Sequence, residues 1–468
     1  MNPWWRRPVD RVTFLLGAVI ALTVIGQFVA PAPPAQQSTV VVPISALALS
    51  CPSLPSDTPG YDVTLKAALR DGTSRARMSL QTRRPVNAVV EAGGVRSLDV
   101  RSSAVGLVTA SGAAASRLVA DASLLGTQTS ARGFATYACQ PPSASQWLIG
   151  GSAISGRSSV LTIANVDEAS ASVNIEVWTD RGKSGSRSLE GVEIPARSRQ
   201  QLPLTLIEPG RAIYAIHVVA TSGQVSSAIV DRGQRALTSL GVDVIAPAPE
   251  PSRVQVVGII PEGSKSARLA FVSPSIPTTV RVSLLTDDGE FALADAEALS
   301  VDADRLTTID LPDDALVGDV AVILRADDPI AAGAAFTLNI RGGDDLASAP
   351  SAAPIYRAAS LTIDAGVSKA TALLRAERTT QVTVITGFAG RQTRTVATVR
   401  AGGITRIPLV GSSGDARLIS IEPALDGVVS GSVLIQRASV GMVATSVQPL
   451  LSIRGFVAVP PVVPERSR

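Results

Sequence analysis

From Trp147 onward, one layout of alternating apolar stretches recurs three times along the chain. In the first copy, LTIAN at 161–165 leads to SVNIEVW at 172–178 and then to the turn TDRG at 179–182. The equivalent stretches of the other two copies are 269–273, 279–285 and 286–289, and 372–375, 381–385 and 387–390. Leucines that close a later run in each copy lie 107 and 98 residues apart. Alternation is typical of half-buried strands, and this offset fits a two-sheet sandwich better than a propeller blade of about 40 to 50 residues. The sequence therefore predicts a mainly β protein built from tandem Ig-like β-sandwich domains.

Composition supports sheets over helices. Aromatic residues make up only 3% of the chain, while hydrophobic residues make up 46%, so the cores must consist of Val, Leu, Ile and Ala, a mixture that suits pleated surfaces. Each copy also contains two alternating runs joined by a short turn with Ser-Gly, Asp-Pro or Asp-Gly, which predicts a hairpin. The three predicted hairpins join 215–219 to 225–230, 320–324 to 331–338, and 416–421 to 428–435.

The order of composition along the chain predicts eight segments. They are a cytoplasmic basic leader (1–11), a transmembrane signal-anchor helix (12–30), a Pro-rich tether (31–37), a first exported β-rich region (38–145), three β-sandwich repeats (146–250, 251–348 and 355–456) and an extended tail (457–468). Linkers rich in Pro, Ala and Ser are expected at 246–251 and 346–354. The sequence leaves open whether the first exported region folds alone or lends strands to its neighbour.

An apolar run of nineteen uncharged residues occupies 12–30. As a helix it covers roughly 28 Å, close to the thickness of a bilayer's hydrocarbon core, and the arginines before it favour a cytoplasmic N-terminus. The residues expected at the membrane interface are Trp4, Trp5, Arg6, Arg7 and Arg11. A cleaved signal peptide is the alternative, but Pro33 would follow the only nearby Ala-x-Ala site. We therefore expect a single-pass protein of the cell membrane whose bulk is extracytoplasmic.

The only two cysteines, Cys51 and Cys139, both follow the predicted membrane helix. Since disulfides persist outside the cytosol, we expect these residues to form a disulfide, with two free buried thiols as the alternative.

The chain has 42 Lys and Arg against 39 Asp and Glu, so no overall electrostatic field favours binding of nucleic acid. A basic cluster could contact anionic lipid or an envelope polymer, or could be solvated strand positions; it comprises Arg75, Arg77, Arg83, Arg84, Arg96 and Arg101.

No motif points to a catalytic or cofactor site. His217 is the only histidine and lies in an alternating run, so it is expected on a strand face rather than in a histidine-based catalytic triad or zinc site. The tripeptide at 182–184 resembles the end of a phosphate loop but lies in a predicted hairpin. The acid-rich stretch 287–345 could bind calcium or hold paired carboxylates, although acids in turns are usually solvated. We expect no cofactor and no catalytic residue.

Four segments carry a resemblance to a known family. They are GFATYAC at 133–139, WLIGGS at 147–152, LTIAN at 161–165 and the stretch 173–182. Together they resemble an actinobacterial family of anchored, exported proteins known as domain of unknown function 5719. Where that family usually continues the Asn with Pro, this chain has Asn165-Val166. The genes of such proteins often accompany a large glycosyltransferase, so the resemblance implies a role in envelope glycan assembly and transfers no catalytic residue.

The expected function follows from the predicted extracytoplasmic location and the absence of a catalytic motif. The chain is predicted to be a membrane-anchored, extracytoplasmic, non-enzymatic scaffold or accessory protein that supports an envelope glycan-assembly enzyme. Its predicted partners are the membrane, through the single helix, and a membrane glycosyltransferase or an envelope glycan. An array of polysaccharide-binding modules and a carboxylate-dependent glycan hydrolase are the alternatives.

Overall fold

A computed structural model describes residues 40–52, 60–70, 74–81, 86–100, 105–340, 343–388, 391–410, 416–439, 442–452 and 456–459. The predicted leader, membrane helix and tether lie outside these residues, as do Trp4, Trp5, Arg6, Arg7 and Arg11. Within the described ranges, no helix is both long and apolar enough to cross a membrane. The chain divides into two units. One contains an antiparallel ribbon of β1 (Val40–Pro43) and β35 (Phe456–Val459); the other, residues 44–455, contains all remaining elements and is called the body.

The body consists of four successive groups of strands, which we call modules I to IV. Module I contains β2 (Ala46–Cys51), β3 (Tyr61–Leu69), β4 (Arg75–Gln81), β5 (Val86–Glu91), β6 (Val95–Val100), β7 (Val105–Ser111), the 3-10 helix η1 (Gly112–Arg117), β8 (Leu118–Gln128) and β9 (Ala131–Ala138). Module II contains β10 (Ser145–Gly150), β11 (Arg157–Asn165), β12 (Ala171–Thr179), β13 (Gly182–Lys183), η2 (Arg187–Leu189), β14 (Val192–Ile194), β15 (Ser198–Pro203), the short helix α1 (Leu204–Ile207), β16 (Tyr214–Ser222), β17 (Ser226–Arg235) and β18 (Thr238–Ile245).

The second half of the body consists of the other two modules. Module III contains β19 (Ser252–Ile260), β20 (Ser264–Val272), β21 (Thr278–Thr286), β22 (Gly289–Ala292), β23 (Leu299–Val301), β24 (Thr307–Asp310), η3 (Asp313–Leu316), β25 (Val320–Ile340) and β26 (Gly343–Pro350). Module IV contains β27 (Ala359–Ile363), β28 (Val367–Ala376), β29 (Thr380–Phe388), β30 (Arg391–Val399), β31 (Ile404–Val410), β32 (Arg417–Pro423), β33 (Val429–Ser439) and β34 (Met442–Pro449). The protein is therefore mainly β, as predicted.

All four modules share one strand topology. In module I the two sheets have the orders β2-β7-β4-β5 and β6-β3-β8-β9, and in module IV the orders β27-β32-β29-β30 and β31-β28-β33-β34. Module II repeats the pattern as β10-β16-β12-β13 and β15-β11-β17-β18. In module III the long strand β25 serves both sheets: its first half pairs with β19 and β21, its second half with β20 and β26. Strands β2 to β9 thus form a fourth copy of the repeat, which the sequence pattern did not reveal.

Alternation along the strands gives each module its core. Strand β4, for example, alternates between exposed or half-buried side chains and buried ones, as a strand with one solvated face must. In module II, Leu148 and Val177 of one sheet pack in the same cluster as Leu161 and Ile229 of the other. Small aliphatic side chains therefore fill the space between the two sheets, as the composition predicts.

The three predicted hairpins were wrong. Strands β16 and β17 lie in different sheets, as do β32 and β33, and the runs 320–324 and 331–338 belong to the single strand β25. A turn between two alternating runs does not determine whether the second run returns beside the first or crosses to the facing sheet, and in all three copies the chain crosses. The linker predicted at 346–354 also needs correction, because residues 346–350 belong to β26.

The last strands of the four modules pack against one another. Each of β9, β18, β26 and β34 is the edge strand of its sheet; β9 contacts β18 and β34, and β26 contacts β18 and β34. We call this assembly of four edge strands the hub. Gly241 of β18 has φ +113°, and a side chain there would overlap the carboxylate of Asp345. Glycine at this position is therefore required both by backbone conformation and by close approach.

Apolar side chains of the hub strands pack into the cores of neighbouring modules. Phe134 of module I lies in the core cluster of module IV, Val242 of module II in that of module I, and Val447 of module IV in that of module III. Modules II and III meet through a separate cluster that contains Trp147 and Val272. The four modules therefore share apolar cores instead of touching only at their surfaces.

Candidate functional site

A row of polar side chains crosses the outer face of one sheet in module II. His217 of β16 lies directly opposite Trp147 of β10 on one side and opposite Glu176 of β12 on the other. Opposite residues of antiparallel strands point to the same face, and Ser145, two residues before Trp147, shares it. Lys183 of β13 lies opposite Trp178. We call Ser145, His217, Glu176 and Lys183 the polar row.

The members of the polar row are joined by hydrogen bonds. Ser145 Oγ lies 2.9 Å from His217 Nε2, and His217 Nδ1 lies 2.9 Å from Glu176 Oε2. The other oxygen of Glu176 accepts a hydrogen bond of 2.7 Å from Lys183 Nζ. An ionised carboxylate can only accept, so Nδ1 of the imidazole must carry a proton. In the neutral ring Nε2 then accepts the hydrogen bond, which the Ser145 hydroxyl donates.

Two indole rings pack beside the polar row on the same face of the sheet. The Trp147 ring stacks on the His217 ring with centroids 4.1 Å apart, and on the Trp178 ring with centroids 5.2 Å apart. Lys183 Nζ lies 4.6 Å from the centroid of the Trp178 ring, within the range of a cation–π interaction. Trp147 and Trp178 are only 3% and 1% exposed, so neither indole offers a face to a sugar. Their position fixes the imidazole instead.

Burial and neighbouring charges set the protonation states of the row. Burial lowers the pKa of His217, and the hydrogen bond and charge of Glu176 partly oppose this. Burial alone would raise the pKa of Glu176, but the hydrogen bonds from Lys183 and His217 outweigh it, so its pKa is lowered. At neutral pH the imidazole is therefore uncharged and the carboxylate ionised.

The polar row borders a cavity of about 430 Å³ to which modules I, II and IV contribute residues. Its walls are mainly aliphatic and include Leu49 and Leu118 of module I and Leu451 after module IV. Ser145 and Glu250 are among its polar lining residues. Ser145, at the end of the polar row, therefore lines a mainly apolar space whose volume is in the range of small-molecule sites.

Buried polar groups hold the hub together. The carboxylate of Asp345, on β26, accepts hydrogen bonds from the backbone N–H groups of Phe134 (3.1 Å), Val242 (3.0 Å) and Leu346 (3.0 Å). Phe134 and Val242 belong to modules I and II, so one side chain of module III joins three modules. Burial raises the pKa of Asp345 well above its ordinary value, against the opposing effect of these hydrogen bonds.

Module I is joined to module IV in the same manner. Asp121 of β8 accepts hydrogen bonds from Thr362 N (2.7 Å), Thr362 Oγ1 (2.8 Å) and Gln448 Nε2 (2.6 Å). Lys66 of β3, itself fully buried, lies 3.1 Å from the carboxylate of Asp364. Buried charges left without such partners would be strongly destabilising. These contacts therefore favour the association of module I with module IV in this one arrangement.

The pH dependence of stability should reveal the buried carboxyl of Asp243. Burial raises the pKa of Asp243 to about 7, while the hydrogen bond from Ser348 opposes this shift. Between about pH 4 and pH 7 the unfolded chain releases this proton and the folded protein keeps it, so the free energy of unfolding falls as the pH rises. Asp243→Asn removes that contribution, and the stability of the variant relative to the native protein should improve by up to about 4 kcal/mol across this window.

Urea denaturation of both proteins at four pH values between 4.5 and 7.5 measures this difference. Asp344→Asn, an exposed position of the same hub, is the control and should show no comparable trend. A stability difference between the Asp243 variant and the native protein that is constant with pH would contradict the assignment.

The predicted disulfide is confirmed. Cys51 and Cys139 are bonded, with Cα atoms 4.6 Å apart and a sequence separation of 88. Cys51 ends β2 in one sheet of module I, and Cys139 follows β9 in the other. The bond therefore links the two sheets of module I beside the cavity, where Cys139 is a lining residue.

The predicted basic cluster is divided between two sheets. Arg75 and Arg77 are exposed on β4, and Arg75 pairs with Glu91 at 3.3 Å. Arg96 is exposed on β6, which belongs to the other sheet. The remaining members, Arg83, Arg84 and Arg101, lie outside the described residues.

Several acids of the stretch 287–345 are paired with arginines. Asp310 lies 2.6 Å from Arg268, and Asp327 lies 3.1 Å from Arg281. Across the described part of the chain, no three His, Cys, Asp or Glu side chains form a group that could hold a metal ion.

Sequence reasoning placed His217 on a strand face, where it lies, but missed both of its hydrogen-bonding partners. Ser145 and Glu176 are 72 and 41 residues away in sequence, and neither belongs to a local motif. The sequence argued against a histidine-based catalytic triad because the chain has a single histidine, yet the structure places one serine and one carboxylate beside that histidine. Only the register of β10, β16 and β12 brings them together.

Fold and site define a mainly β, disulfide-bonded body of repeated two-sheet modules. The sequence profile of a family of unknown function, DUF5719, matches residues 95–409. The chain belongs to this family, as the resemblance of its motifs predicts. No curated protein matches the chain.

Proposed function

We propose that the protein is a membrane-anchored, extracytoplasmic scaffold that supports an envelope glycan-assembly enzyme through contact and not through catalysis of that reaction. The observation that carries the proposal is the hub. Because Asp345 and the shared cores join the modules, the outer surfaces of the body are held at fixed spacing, which a scaffold requires.

The disulfide supports an extracytoplasmic location for the body. Cytosolic proteins rarely keep such bonds, whereas exported proteins commonly do. The uncharged run 12–30, preceded by arginines, supplies a single-pass anchor with a cytoplasmic N-terminus. Together they favour location at the outer side of the cell membrane.

We further infer that each module is an Ig-like sandwich. Two facing antiparallel sheets, a chain that crosses between them and a length near 100 residues support this class. Such modules act mainly through their surfaces. Exposed valines on the edge strands β5 and β30, Val89 and Val396, are 56% and 61% exposed and offer contact sites for a partner.

Capture of the full chain from native membranes in mild detergent tests the proposal. We expect a membrane glycosyltransferase or another envelope-assembly enzyme to be enriched at least about tenfold over a control in which residues 1–37 anchor an unrelated β-sandwich. The hub variant Asp345→Ala should lose this enrichment, and the exposed neighbour Asp344→Ala should keep it.

If repeated captures of the full chain enrich no envelope enzyme above the level in the anchor control, the scaffold proposal is contradicted. Binding of the same protein to purified cell-wall polysaccharide, with no enzyme partner, would instead favour the alternative of a polysaccharide-binding array.

A further inference from the structure

We propose that Ser145 is an activated nucleophile, with His217 as its general base and Glu176 as the residue that positions the base, and that this site cleaves neutral carboxylic esters with an apolar acyl group. The activity goes beyond the scaffold function and is independent of it. It also departs from the expectation, drawn from sequence, of a chain without catalytic residues.

The geometry is that of a nucleophile, a base and an orienting group in series. The distances from Ser145 Oγ to His217 Nε2 and from His217 Nδ1 to Glu176 Oε2 are both 2.9 Å. The charge of Glu176 fixes the tautomer in which Nε2 is free to accept the hydroxyl proton. These are the mutual contacts by which such a site is recognised on any fold.

The surroundings keep the base ready to act. The Trp147 ring, nearly parallel to the imidazole at 11°, fixes its orientation, and Lys183 holds Glu176 in place from the other side. The charged groups that face His217 are Glu176, Lys183 and Glu250. Burial keeps the imidazole neutral at pH 7, as its lowered pKa indicates.

The cavity indicates the class of substrate. Ser145 is a half-buried residue of its wall, and Leu47, Leu49 and Leu118 line the same cavity. An apolar acyl chain would bury its surface there. Glu250, which also lines the cavity, disfavours an anionic acyl group.

The reaction would have two balanced steps. Ser145 Oγ forms a bond to the ester carbonyl carbon as its proton passes to His217 Nε2; the bond from carbon to the alcohol oxygen then breaks, and Nε2 returns the proton to the departing alcohol. Water next attacks the acyl carbon with His217 as base, the bond to Oγ breaks, and the proton restores the Ser145 hydroxyl. The products are one carboxylic acid and one alcohol.

Covalent labelling of the full chain in detergent with an alkyl fluorophosphonate tests the nucleophile, with hydrolysis of p-nitrophenyl octanoate as the second readout. We expect one adduct, located by mass spectrometry on Ser145. Ser145→Ala should abolish labelling and hydrolysis, and His217→Gln should slow both by about 100-fold or more. Ser79→Ala, another half-buried strand serine, is the matched control and should react as the native protein does.

The pH profile separates catalysis from a purely structural role of the row. The labelling rate should be half-maximal below pH 6.5, the ordinary pKa of histidine. Glu176→Gln removes a group that raises the pKa of His217, so the midpoint should move lower as the rate falls. All variants should keep the native melting temperature within a few degrees. No adduct on Ser145 in the native protein, or equal rates for the native protein and His217→Gln, would overturn the proposal and leave the row as a cross-strand hydrogen-bond ladder.

Discussion

Replacing Asp345 with alanine should lower the free energy of unfolding by about 3 to 5 kcal/mol. The substitution leaves the buried N–H groups of Phe134, Val242 and Leu346 without their acceptor, and each unsatisfied buried donor costs roughly 1 to 3 kcal/mol. Asp345→Asn should have an intermediate effect, because the amide keeps one acceptor oxygen but turns an NH₂ donor toward one of the backbone donors. Chemical denaturation at pH 6 measures the three proteins.

Asp344→Ala is the matched control. It lies one residue earlier on β26, is exposed, and should change stability by no more than about 0.5 kcal/mol. If Asp345→Ala were as mild as this control, the carboxylate would not hold the modules together.

Removing the disulfide should have the second large effect. With both Cys51 and Cys139 replaced by alanine, we expect a loss of about 4 kcal/mol, because the bond closes a long loop in the unfolded chain. Alanine suits these positions, which are 2% and 5% exposed, since it leaves no buried thiol. Denaturation with and without a reducing agent measures the effect.

The reduced native protein should match the double-alanine variant, and the reducing agent should not change the variant itself. A loss below about 1 kcal/mol would show that sheet packing alone fixes the two sheets of module I.

The sequence predicts those features of the fold that depend on local alternation. Runs such as 172–178 and 279–285 are strands at the predicted places, in β12 and β21, because their apolar side chains alternate toward a core. The sequence pattern did not predict that module I is a fourth copy of the repeat. Its strand β8 is buried at eight of its first nine positions, since both of its faces are covered, and such a strand shows no alternation.

The hub could not be predicted, because its residues carry no local signal. Asp344 and Asp345 are adjacent acids in one sequence stretch, yet one is exposed and the other fully buried. Only the packing of β9, β18 and β26 makes that difference. The same holds for Ser145, His217 and Glu176, whose contacts depend on strand register and not on spacing in the sequence.

The proposed scaffold function depends physically on the packing of the four edge strands of the hub against one another, which we call the closure of the hub. Edge strands normally expose unpaired N–H groups and invite aggregation or partner strands. Here four edge strands turn toward each other, and side chains such as Asp345 and Ser446 accept the N–H groups that face outward from neighbouring strands. The four modules of residues 44–455 are thus joined by shared hydrogen bonds and shared apolar cores.

Hydrogen exchange of the hub amides in the full-length protein tests this closure most directly. The N–H groups of Phe134 and Val242 point away from their own sheets toward Asp345, and that of Thr136 donates to Ser446. If the hub is closed, these edge-strand amides should exchange as slowly as the core amides of β11, and Asp345→Ala should accelerate those of Phe134 and Val242 together. Exchange at the rate of solvent-exposed edge amides, unchanged by Asp345→Ala, would contradict the account.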